Sequence, residues 1–209
     1  QLGHERALAN GTNLRGVLEL VREFRQQDGD TPLLLMGYAN PVVHMGYAKF
    51  ADAAAAAGVD ALLTVDIPPE EVAPVNAELQ RVGMDNIFLV APTTPTERIR
   101  QITSIASGFV YYVSLKGVTG AGHLDVADVA YHLGLIREHS SLPVAVGFGI
   151  KDADSARAVA SVADGVVVGS ALVDAMARVI EGGGGHEAAM AAAVALLADI
   201  RRGIDHAAS

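Results

Sequence analysis

Six short apolar runs do most to limit what this chain can fold into: residues 32–37 (PLLLMG), 60–65 (DALLTV), 86–90 (NIFLV), 109–114 (FVYYVS), 143–147 (PVAVG) and 165–168 (GVVV). Within each run apolar side chains follow one another instead of alternating with polar ones. A strand of that kind is buried on both faces, as in a parallel sheet covered by helices. Amphipathic segments of helix length lie between them, at 47–57, 70–82, 95–106, 126–138 and 152–162, and a Thr12/Asn13 cap opens another at 14–26. The runs begin 22 to 34 residues apart, close to the ~30 residues of one βαβ unit. Gly58, Gly83 and Gly108 each precede a strand and read as left-handed helix caps. Asp154 and Asp164 bracket a further unit of the same kind. The class is α/β, and either an open doubly wound sheet or a closed barrel would bury such strands.

Composition agrees with helices packed closely on a buried sheet. The 209 residues are 51% hydrophobic but only 5% aromatic, with no Trp, and the length suits one domain with its own core. The net charge of -9, with no run of Lys or Arg longer than two, argues against nucleic-acid or membrane-surface binding. The absence of Cys excludes disulfides and thiolate metal sites and fits a reducing compartment. No apolar stretch approaches the roughly 20 residues of a membrane span, and no signal peptide is visible. A cytoplasmic protein is therefore expected. The chain opens at Gln1 on a polar, helix-like segment, which reads as the middle of a longer barrel.

Three glycine-bearing segments follow late strands: Gly117-Val118-Thr119-Gly120, Gly147-Phe148-Gly149-Ile150 and Gly169-Ser170-Ala171-Leu172. Taken singly, each is an ordinary turn or cap. The last two together, in consecutive units, make an anion cradle from backbone N–H groups and the N-terminus of a short helix beginning at Ser170. In (β/α)8 barrels that cradle follows strands seven and eight, and the count then makes PLLLMGY strand three. Gly182 to Gly185 reads as a flexible connector between helices at 171–180 and 187–202, since no strand precedes it.

Other segments leave two readings open. Leu35 to Pro41 ends a strand with Tyr38 and Asn40 on a turn or binding loop, with Asn40-Pro41 as a stop signal. In Val65 to Glu71, Asp66 closes a strand as a structural or interface group or as a ligand contact, and Glu70 and Glu71 read as partners of a helix dipole in its first turn. The seven histidines, at 4, 44, 123, 132, 139, 186 and 206, lack metal-ligand order, so no metal site is expected. Thr119 either offers a hydroxyl over a closed site or stabilises its own turn. A Schiff-base role for Lys116, beyond its strand and solvated, is disfavoured.

At this point the text resembles a known family. The runs LLLMGYANPV, DALLTVDIPPEE, GFVYYVSLKGVTG, VAVGFGI and VVVGSALV, and ERALANGTN near the start, are similar in sequence and order to the tryptophan synthase α chain. The resemblance covers all 209 residues. It implies a single (β/α)8 TIM-barrel domain over 1–209, with strands three to eight represented and the first two βα units missing. The implied activity is that of a lyase, the aldol-type cleavage of indole-3-glycerol phosphate to indole and glyceraldehyde 3-phosphate. Indole passes to a β subunit in an α2β2 heterotetramer. No cofactor is implied for this chain, and pyridoxal phosphate is expected only in the β partner.

Carried over by motif, Gly120, Gly149, Gly169 and Ser170 would hold the substrate phosphate. Met36, Tyr38, Leu63, Leu89 and Phe148 would line the pocket. Tyr111 and Thr119 would support the chemistry, with Thr119 on the loop that closes over substrate and Tyr111 also walling the pocket. Asn40, Pro41, Val43, Asp66 and Pro68 would meet the β subunit. The reaction needs an acid for the indole ring carbon, a base for a glycerol hydroxyl and an anion near the indole N–H. The family supplies these from two carboxylates at the end of strand two and just after it, positions that fall upstream of Gln1. The expectation is thus a truncated or incompletely represented form of an active enzyme. The alternatives are a non-catalytic partner that binds phosphate ligand or β subunit without turnover, and another phosphate-binding barrel such as an isomerase or epimerase. The last would share the GFG and GSA segments but not LMGYANP or GVTG.

Overall fold

Each apolar run becomes a parallel strand, five of them shorter than the run and the third extended by Asp85. The computed structural model describes residues 2–114, 125–147 and 149–206. Contacts divide the chain into two units, residues 1–89 with 104–108, and residues 90–103 with 109–209.

The first unit begins with α1 (Leu2–Ala9) and α2 (Leu14–Arg25), the latter capped by Asn13, whose side chain accepts the Gly16 N–H. There follow β1 (Leu34–Gly37), α3 (Ala39–Met45), α4 (Tyr47–Ala57), β2 (Ala61–Thr64), α5 (Ala73–Arg81) and β3 (Asp85–Val90). Met36 pairs with Leu63 and Leu63 with Ile87. Because side chains alternate along a strand, these three share one face of the sheet. The other face is covered by helices, and Phe50, Ala51 and Ala54 of α4 are fully buried. The Ala-rich α4 stands close to its neighbours because its buried side chains are small.

The second unit contains most of α6 (Thr96–Ile105), then β4 (Val110–Val113), α7 (Val126–Arg137), β5 (Val144–Gly147), α8 (Ala153–Ala160), β6 (Gly165–Val167), α9 (Ser170–Glu181) and α10 (His186–Asp205). Tyr111 pairs with Ala145 and Ala145 with Gly165. Val110, Tyr112, Val144 and Val146 are completely buried, as the unbroken apolar runs require. Burial pushes the Tyr112 phenol up to about 12, with the negative charge of Asp128 adding to it.

The units carry the same clasp where chain enters a strand. In the first, the Leu33 N–H donates to Asp60 Oδ2 at 2.6 Å and Arg25 donates to the same oxygen at 2.6 Å. In the second, the Val144 N–H donates to Asp164 Oδ2 at 2.9 Å and Arg137 donates to it at 3.0 Å. An Asp just before one strand thus grips the amide that opens the preceding strand. Both clasps lie at the N-terminal ends of the strands, the end that serves stability in barrel folds.

Two expectations are corrected. Asn40-Pro41 is not a stop. Both lie in the first turn of α3, where proline's missing N–H has no intrahelical partner to lose. Glu70 and Glu71 precede α5, which starts at Ala73 with Pro74 in its first turn. Gly58, Gly83 and Gly108 do have positive φ, at 93°, 74° and 69°.

Candidate functional site

In α/β folds with parallel strands, ligands are held by the loops at the strands' C-terminal ends. Among the described candidates, Tyr38, Asn40, Asp66, Gly149, Gly169 and Ser170 follow the strands' C-terminal ends, while Met36, Leu63, Leu89 and Tyr111 lie within the strands.

In the first unit the loop after β1 turns directly into α3. Tyr38 is the N-cap residue in extended conformation (φ -82°, ψ 156°), with no cap from its own side chain. A carboxylate from the next loop meets the helix start instead: the Ala39 N–H donates to Asp66 Oδ1 at 2.7 Å. One residue back, the Val65 N–H donates to the Gly37 carbonyl at 3.0 Å. Asp66 therefore has a defined structural bond, and it stands exposed at the loop surface.

Met36, Tyr38 and Val43 are 57%, 54% and 54% exposed. Asn40 and Pro41 are exposed beside them on α3, Val42 is buried beneath, and Pro68 is half-buried. Leu63 is wholly buried on the Met36 face, and Leu89 is partly buried two residues beyond Ile87. Leu63 is a wall under Met36 rather than an exposed contact.

In the second unit Tyr111 projects from the face of β4 shared with Ala145 and is partly buried. Burial pushes its phenol above the usual value, so it is a neutral hydrogen-bonding group at physiological pH. Gly147 ends β5, and a Cβ built there would run into the Tyr111 ring. Gly149 follows with φ 78° and is exposed.

The three helices that follow β4, β5 and β6 open differently. Asp125 caps α7 through the amides of Ala127 and Asp128. Asp152 caps α8 in a capping box with Ser155, and those bonds hold its carboxyl below the usual carboxylate range. The third helix, α9, starts at Ser170 after Gly169 with no side-chain cap. Its start thus carries no side-chain carboxylate, while the other two helix starts already hold one.

Thr119, Gly120 and Phe148 lie outside the described residues. A cavity of about 220 Å³ lies elsewhere, at the entry to β6 among Ala160, Asp164, Gly165 and Arg201, away from the strand C-termini. Among the described residues no group of three His, Asp or Glu side chains could hold a metal ion, and no helix is long and apolar enough to cross a membrane. Sequence reasoning missed the Tyr111–Gly147 fit and the Asp66–Ala39 bond. The only sequence signals for them were a glycine ending an apolar strand and an Asp ending another.

Comparison with known proteins places this arrangement. Residues 1–201 match the family model described as tryptophan synthase alpha chain. The tryptophan synthase alpha chain of Dechloromonas aromatica is 57% identical over 205 residues, which are 98% of this chain and 75% of the relative. That of Laribacter hongkongensis is also 57% identical over the same shares. Among solved structures, tryptophan synthase subunit alpha from Legionella pneumophila superposes with a TM-score of 0.87 at 40% identity, covering 97% of this chain and 73% of that one. A structure of the tryptophan synthase α2β2 complex from Pyrococcus furiosus gives 0.82 at 36% identity, covering 94% and 77%. The six parallel strands match the TIM-barrel fold of these proteins. The chain belongs to the tryptophan synthase alpha chain family, lyases of tryptophan biosynthesis that act on indole-3-glycerol phosphate.

Proposed function

We propose that these residues form the substrate-binding and partner-binding walls of a tryptophan synthase alpha subunit, which cleaves indole-3-glycerol phosphate to indole and glyceraldehyde 3-phosphate in the cytoplasm. In this reading β1 to β6 are strands three to eight of one (β/α)8 barrel domain. The uncapped start of α9 carries it, because it is the one helix start among α7, α8 and α9 that lacks a carboxylate of its own.

The substrate phosphate then sits on the amides of Gly169 and Ser170, with Gly149 and Gly120 closing the cradle. Fixed N–H dipoles hold the dianion without a counter-charge. Met36, Tyr38, Leu63, Leu89 and Phe148 surround the indole and glycerol. Tyr111 offers a neutral phenol to the chemistry, and the family correspondence gives Thr119 a supporting role. Anchoring the phosphate positions the scissile carbon–carbon bond, and apolar walls exclude water from the reacting indole ring.

Breaking that bond is a retro-aldol step. An acid delivers a proton to the indole ring carbon, leaving positive charge on the ring nitrogen. A base then takes the proton of the glycerol hydroxyl, the carbonyl forms, and the electron pair of the broken carbon–carbon bond returns to the ring to give neutral indole. The family assigns acid and base to strand two and its following loop, outside β1 to β6 in this correspondence. The residues here bind and orient.

The Pyrococcus neighbour assembles as α2β2, and by analogy Asn40, Pro41, Val43, Asp66 and Pro68 meet a β chain that receives the indole. Pyridoxal phosphate belongs to that chain, and this one uses no cofactor.

Titration with glycerol 3-phosphate and indole-3-glycerol phosphate, read by the fluorescence of the five tyrosines in this Trp-free chain, tests the binding site. Both ligands are expected to bind, the indole-bearing one more tightly. Binding of neither overturns the assignment of these residues to a substrate site. A parallel indole-release assay separates turnover from binding alone.

A further inference from the structure

We propose that Asp66 is a positioning residue for Tyr38, its carboxylate fixing the backbone that presents Tyr38 to substrate. This rests on the reading above that Tyr38 lines the indole and glycerol pocket. Tyr38 stands between two bonds that cross from the loop after β1 to the loop after β2. On one side the Gly37 carbonyl accepts the Val65 N–H at 3.0 Å, and on the other the Ala39 N–H donates to Asp66 Oδ1 at 2.7 Å.

The first bond continues the β1–β2 ladder by one step. The second is of another kind, because it ties the opening amide of α3 to a side chain 27 residues away. No side chain of its own caps α3, so Asp66 does for this helix what Asp125 and Asp152 do for α7 and α8. A short helix is poorly held by its own few hydrogen bonds. The orientation of its first turn, and of the Tyr38 N-cap residue before it, depends on that external carboxylate. The same bond orients the α3 face that carries Asn40, Pro41 and Val43.

The test compares Asp66→Ala and Asp66→Asn in the chain as it stands, reading amide hydrogen exchange at Ala39 and affinity for two probes. In Asp66→Ala, exchange at Ala39 is expected to accelerate about tenfold, the worth of a cap bond. Affinity for indole-3-glycerol phosphate is expected to fall about fivefold, while affinity for glycerol 3-phosphate, which reaches only the cradle, stays within about twofold. Asp66→Asn keeps an accepting oxygen and is expected to restore both readouts, since Asn caps helices as well as Asp.

Unchanged Ala39 exchange in Asp66→Ala overturns the proposal. So does an equal loss for both probes, which marks general destabilisation, or an Asn variant as impaired as the Ala variant. Wild-type chain that binds neither probe sinks the functional reading instead, and exchange at Ala39 then decides the clasp by itself.

Discussion

The phenol of Tyr111 fills the space that a side chain on Gly147 would need. Tyr111 lies in register with Ala145, and Gly147 is two residues further along β5 on the same face, so the ring leans over the end of the neighbouring strand. A Cβ on Gly147 would overlap the Tyr111 hydroxyl and stand 2.5 Å from Cζ and 2.8 Å from Cε1. Glycine at this position is therefore a requirement of Tyr111's place at the strand ends.

It follows that Gly147→Ala displaces the Tyr111 ring. We expect a loss of about 1–3 kcal/mol in urea unfolding, the usual cost of forcing extra volume into a packed site. Affinity for indole-3-glycerol phosphate should fall as well. In a Tyr111→Ala background the same Gly147→Ala change should cost much less, and the two losses should be non-additive in a double-mutant cycle. Additive losses would show that the ring and the glycine do not share one space.

Acid stability should depend on Asp164. Its bond from the Val144 amide, and next the Arg137 guanidinium, hold its carboxyl below the ordinary value of 3.8. A carboxyl depressed in the folded state adds stability that is fully present above the unfolded value and lost as pH falls through the folded one. Unfolding free energy should decline as pH drops below about 4. In Asp164→Asn, whose amide oxygen can still accept from Val144, that decline should be shallower. Urea titrations of both proteins across the acid range decide it, and identical slopes would count against the assignment.

How far these features could be read beforehand differs from one to the next. The six strands were legible because doubly buried parallel strands are continuous apolar runs, and the helices between them because their apolar positions recur with helical spacing. The start of α3 was not. Asn40-Pro41 reads locally as a break, and only a carboxylate from another loop makes Ala39 a helix start. The Tyr111–Gly147 fit was equally hidden, since it depends on the register between β4 and β5. The glycines around the cradle were visible, but the decisive contrast came from the Asp caps of α7 and α8 against the bare start of α9.

Gly203 offers a change that separates stability from binding. Alanine inside a helix is normally better than glycine by about 1 kcal/mol. At Gly203 of α10, however, a Cβ would stand 2.5 Å from the Ala153 carbonyl oxygen and 3.0 Å from its carbon and Cα. The backbones of α10 and α8 approach too closely for any side chain there. Gly203→Ala should therefore reverse the usual sign and lose about 1–3 kcal/mol in chemical unfolding. Ligand affinity of the folded fraction should be unchanged. A stabilised variant would mean that the helices can separate at little cost.

Ser170→Asp turns the argument about α9 into opposite effects on two measurements. Ser170 is the first residue of α9, exposed, with no side chain capping the helix start. A carboxylate placed there meets the free amides and the positive end of the dipole. It should stabilise the unliganded protein by roughly 0.3–1 kcal/mol. The same carboxylate occupies the position proposed for the substrate phosphate and repels a dianion. Affinity for glycerol 3-phosphate and for indole-3-glycerol phosphate should fall together, by more than about tenfold, the equivalent of 1.4 kcal/mol. Raising the salt concentration should recover part of that affinity, because repulsion between exposed charges is screened. If Ser170→Asp bound both ligands as tightly as the unaltered chain, the phosphate would have to sit elsewhere than on α9.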